Sequence, residues 1–76
     1  MSPVIDWLNK QFQGKGIVAH VHENLARQDG DWLYLPVYVQ MNDAYDKATL
    51  LQEIEDKWGT ERVTNQQFLL LIPTAN

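Results

Sequence analysis

Apolar residues recur along this chain with two different periods, and the changes of period mark out its elements. Val4, Ile5, Trp7, Leu8 and Phe12 fall on one stripe at helical spacing, with Asp6, Asn9, Lys10 and Gln13 opposite. Ser2-Pro3 suits an N-cap and a first helical position, and Gly14 suits the left-handed residue that closes a helix. The spacing predicts a first helix over 3–13. From Ile17 the period drops to two. Ile17, Ala19, Val21 and Leu25 point one way; Val18, His20, His22 and Asn24 point the other. After the turn-forming run Arg27-Gln28-Asp29-Gly30-Asp31 the alternation resumes. Leu33, Leu35, Val37, Val39 and Met41 take one side, and Trp32, Tyr34, Pro36, Tyr38 and Gln40 the other. This predicts a β-hairpin.

Parity selects the hairpin register, because cross-strand partners share a face. A two-residue Asp29-Gly30 turn would set Val37 opposite His22 and mix the faces. A three-residue Gln28-Asp29-Gly30 loop sets Val21 opposite Val37, Ala19 opposite Val39 and Leu25 opposite Leu33, with Gly30 left-handed. Pro36 has no N–H to give a ladder, which predicts that its strand lies at the sheet edge.

Helical spacing returns after Asn42 or Asp43. Ala44, Ala48, Leu50, Leu51, Ile54 and Trp58 form the predicted buried side, Glu55 falls within that arc, and Gly59 is the predicted end. Residues 67–72, Gln67-Phe68-Leu69-Leu70-Leu71-Ile72, read as a third strand stopped by Pro73, with a frayed tail behind it. The predicted fold class is α+β, a two-layer α-β-β-α-β domain. Its three-stranded sheet has the order 2-1-3, with helix 2 making the crossover and helix 1 packing beside it. Strand 3 is apolar on both sides, so Leu69 and Leu71, or their neighbours, belong to the second sheet face. That face predicts a cover, from helix 1, a second copy or a partner.

At 76 residues the chain reads as one small domain with a thin core. The lack of cysteine removes disulfides, thiolate metal sites and cysteine nucleophiles. No apolar run is long enough to span a bilayer, and the N-terminus lacks a signal-peptide pattern, which predicts a cytoplasmic protein. The net charge of −4 sits on residues 43–61, and no basic cluster exists to bind phosphate backbones. Nucleic acid and membrane are therefore poor partners, and a basic protein surface is a better match to the acidic helix.

Candidate chemistry is sparse. Gly14-Lys15-Gly16 lacks the context of a phosphate loop, the single serine reads as a cap, and Glu53 with Asp56 reads as a solvated face. Glu55 is expected at the rim of its stripe, or bonded to Lys15 or Arg62. Trp7 and Trp58 read as core. Trp32 lies at the hairpin end, where it could cap the sheet or anchor a contact. His20 and His22 project from one face, a spacing that can put two imidazoles on one metal or serve a pH-sensitive contact. These residues predict a non-enzymatic protein-interaction or adaptor module that uses His20, His22, Trp32, Tyr34 and Tyr38. Its expected partner is another protein or a second copy of itself, and it needs no cofactor. The alternative is a small ligand- or metal-binding protein built on His20 and His22.

Overall fold

A computed structural model describes residues 2–75. Helix α1 spans Ser2–Gly14, β1 Ala19–Val21, a 3₁₀ turn Glu23–Leu25, β2 Arg27–Asp29, β3 Trp32–Val39, α2 Ala44–Glu61 and β4 Phe68–Thr74. The class is the expected α+β, with four strands rather than three among the described residues. The Ser2 side chain, expected as a cap, lies outside the described residues. At the start of α2, Asp43 is the N-cap and accepts from the Asp46 N–H at 2.9 Å. That helix runs through Gly59 to Glu61, two residues beyond the expected stop.

The predicted strand order is wrong. β3, which carries Pro36, lies in the centre, with β1 and β2 antiparallel along one side and β4 parallel along the other. The reason lies in which side of β3 each backbone group faces. The Pro36 carbonyl accepts from the His22 N–H at 2.9 Å, so the proline nitrogen also faces the first arm. An N–H there would seek the His22 carbonyl. That carbonyl is instead taken by the Leu25 N–H at 3.0 Å, within the 3₁₀ turn. The first arm of the hairpin thus leaves the ladder where β3 has no donor to offer. A proline in a central strand is accommodated by interrupting its neighbour, the bulge case rather than the edge case.

The same interruption splits the register. β1 pairs as parity requires, with Ala19 opposite Val39 and Val21 opposite Val37. The 3₁₀ turn then absorbs extra residues, and β2 sets Arg27 opposite Tyr34 and Asp29 opposite Trp32. Leu25, expected opposite Leu33, stands exposed, and Gln28 takes that place. The connection becomes a two-residue Gly30-Asp31 turn with Gly30 at φ +59°, the residue a type II′ turn wants first. A Cβ at Gly30 would meet no neighbouring atom, so its cost is backbone strain alone. Gly30→Ala is expected to lower stability by about 1–2 kcal/mol in a urea titration. An unchanged midpoint would argue against this turn.

β4 also runs further than expected, through Pro73 to Thr74. The Phe68 N–H bonds the Asp31 carbonyl on the β3 side, so Leu69, Leu71 and Pro73 turn their backbone groups outward. Pro73 therefore costs the ladder nothing. Both helices cover one sheet face. Val4, Trp7, Leu8 and Phe12 of α1 and Leu50, Leu51, Ile54 and Trp58 of α2 share one core with Val21, Leu33, Leu35, Val37, Val39, Leu69 and Leu71. Trp7 meets Trp58 edge to face at 5.1 Å between ring centres, joining the two helices. Ala44 and Ala48, expected inside, are exposed. With Glu55 they occupy the flank of α2, while the buried stripe is centred on Ile54 and Trp58.

Candidate functional site

Among the described residues, neither helix packs on the second sheet face, and Trp32, Phe68, Leu70 and Ile72 stand exposed there. Alternation alone decides which residues stand on it, so it survives the change of strand order. The register arranges them in rows across the three-strand width. Asp29, Trp32 and Phe68 form the first row, and Arg27, Tyr34 and Leu70 the second. Pro36 and Ile72 form the third beside His22, and His20, Tyr38 and Thr74 form the fourth. All five residues expected from the sequence, His20, His22, Trp32, Tyr34 and Tyr38, therefore lie on one surface. Of the strand-3 residues, the neighbours Phe68, Leu70 and Ile72 face out, and Leu69 and Leu71 belong to the core.

Several of these side chains are large, apolar and in water. Trp32 is 42% exposed, Phe68 46% and Ile72 40%. Trp32 and Phe68 stack with centres 4.9 Å apart and planes 25° apart, which makes one flat aromatic plate at the hairpin end. The histidine rings meet edge to face at 4.8 Å. Nε2 of His22 lies 3.3 Å from the Thr74 hydroxyl, a contact that reaches across β3 from the residue after β1 to the end of β4. Where the 3₁₀ turn swings away, it leaves a half-open depression of about 580 Å³ bordered by Leu25, Arg27, Tyr34, Pro36 and Ile72. A metal ion would find two imidazoles here. Among the described residues, no group of three His, Cys, Asp or Glu comes together to complete a site.

Charge is distributed unevenly between the layers. The face carries Arg27 and Asp29, which offset one another, and the −4 of residues 43–61 sits on α2 and its flanks behind the sheet. Lys15 meets Glu53 at 3.3 Å and Lys57 meets Glu61 at 3.6 Å, exposed pairs worth little. Glu55 bonds neither Lys15 nor Arg62. Its Oε2 accepts the backbone N–H of Leu71, on the outer edge of β4, at 2.7 Å. Partial burial pushes the Glu55 carboxyl above its ordinary value of 4.5. The Leu71 N–H opposes that shift, and the nearby Asp56 adds to it.

A carboxyl with a raised pKa binds its proton more tightly in the folded chain than in the unfolded one. Its contribution is present below 4.5 and is lost as pH rises through the folded value. Glu55→Gln is therefore expected to match the parent at pH 4 and exceed it in stability at pH 7, by urea midpoint. Parallel profiles for the two proteins would contradict this.

No protein-family model, curated protein or solved structure matches the chain. Among the described residues, no helix is long and apolar enough to cross a membrane.

Proposed function

We propose that the chain is a protein-contact module that works by pairing its open sheet face with the same face of a second copy. One observation carries this reading: Trp32, Phe68, Leu70 and Ile72 stand exposed together on a face that neither helix covers. Contiguous apolar surface of this kind marks contact sites in small proteins. Charge selects the occupant. Two copies can meet through faces on which Arg27 and Asp29 balance, whereas the acidic helices would repel each other. Sheet-on-sheet packing at roughly 10 Å would bury the aromatic plate and the β4 side chains, as in a sandwich. In that arrangement both α2 helices remain on the outside, free for a basic partner.

The face is only three strands wide, so the pairing belongs with small interfaces of modest affinity, on the order of tens of micromolar. Leu70 lies on the middle of β4, in register with Tyr34. Leu70→Glu would place a carboxylate within the contact. It is expected to leave circular dichroism unchanged and to hold the protein monomeric at every concentration. A variant that still associates like the parent would count against the proposal.

A further inference from the structure

β4 is the last strand on its side of the sheet, and the backbone groups of Leu69, Leu71 and Pro73 point away from β3. A bare edge of this kind offers its N–H and C=O groups to any extended chain. The segment Phe68-Leu69-Leu70-Leu71-Ile72 carries no charge, which is the composition that pairs with itself. The edge can also be approached. A groove of about 310 Å³ runs beside it, lined by Glu55, Asp56, Trp58, Phe68, Leu69 and Leu70.

The outward groups are self-complementary about their middle residue. In an antiparallel pair of two β4 strands centred on Leu71, each Leu71 would give its N–H to the other's carbonyl. Leu69 of each copy would face Pro73 of the other and donate to its carbonyl. That central exchange is blocked, because Oε2 of Glu55 already holds the Leu71 N–H. Pro73 supplies no donor of its own. No other described residue bonds Glu55, so its carboxylate is committed to this one backbone group.

We infer that Glu55 guards the β4 edge: by occupying the Leu71 N–H it keeps a second copy of this chain from extending the sheet strand to strand. The guard is independent of the open face, which lies perpendicular to the edge. An acceptor is what the position needs, so glutamine serves and alanine does not.

The test compares the parent, Glu55→Gln and Glu55→Ala by sedimentation velocity and by amide exchange at Leu71. In the parent and in Glu55→Gln, the Leu71 amide is expected to exchange at least tenfold more slowly than an open amide at any concentration. In Glu55→Ala it is expected to exchange fast in dilute solution and slowly in concentrated solution, as species larger than the parent's appear. Three results would overturn the inference: an unprotected Leu71 amide in the parent, Glu55→Ala assembling as the parent does, or Glu55→Gln assembling as Glu55→Ala does. If Glu55→Ala does not fold, the parent and glutamine measurements still decide.

Discussion

Replacing Trp58 with alanine is expected to lower the free energy of unfolding by about 3–5 kcal/mol, the range for a large buried aromatic. A chain of this length has about 4–11 kcal/mol in total, so the variant should stand at the limit of folding. Three features of the site set the size of the effect. Trp58 is 1% exposed and closes the buried stripe of α2 after Leu50, Leu51 and Ile54. Its ring meets Trp7 and so couples the two helices. Its indole N–H donates to the Gln66 carbonyl at 3.1 Å, which fixes the approach of the chain to β4. Trp58→Phe keeps most of the apolar surface and loses that hydrogen bond, so about 1–2 kcal/mol is expected. Chemical denaturation followed by circular dichroism checks both. A loss below about 1 kcal/mol for alanine would mean that the helices do not share one core.

The second large effect is on association. Trp32 and Phe68 are in register and stacked, and both are exposed on the open face. Replacing both with alanine is expected to weaken self-association roughly a hundredfold, as loss of two aromatic anchors does. The two changes should not add independently, because each ring covers the other. Fold stability should change little, since both rings are already near half exposed. The pair of substitutions thus separates contact from folding, which Trp58 cannot do. Association at the parent's strength in the doubly substituted chain would move the contact elsewhere.

Much of this was legible in the pattern of side chains. The two periods located both helices and the hairpin, an unbroken apolar run located β4, and parity set the register of β1 against β3, because a slip of one residue would mix the two faces. The doubly apolar third strand predicted that the second face needs a cover, with helix 1, a second copy and a partner all open as its source. Three features were not legible. Pro36 by itself predicts an edge, yet a proline needs only that no acceptor waits opposite its nitrogen, and the 3₁₀ turn arranges this in mid-sheet. The position of the hairpin turn moved with that interruption, from Gln28-Asp29-Gly30 to Gly30-Asp31. The partner of Glu55 is a backbone group on a strand edge. Nothing in the spacing of α2 could point to it until β4 was placed beside β3.

Within the site, all five expected residues share the face, and those missed, Phe68, Leu70 and Ile72, come from β4. Their omission has one cause: in a strand apolar on both sides, composition cannot say which half is wet. The outward half became evident only through the Phe68 bond to Asp31 and the register it starts.

Sedimentation equilibrium of the unaltered chain from about 1 to 500 µM, a range that brackets the expected affinity, tests the pairing of open faces most directly. Mass should climb from that of one chain to that of two and level off there, with the climb absent in Leu70→Glu. A single-chain mass across the whole range would contradict it.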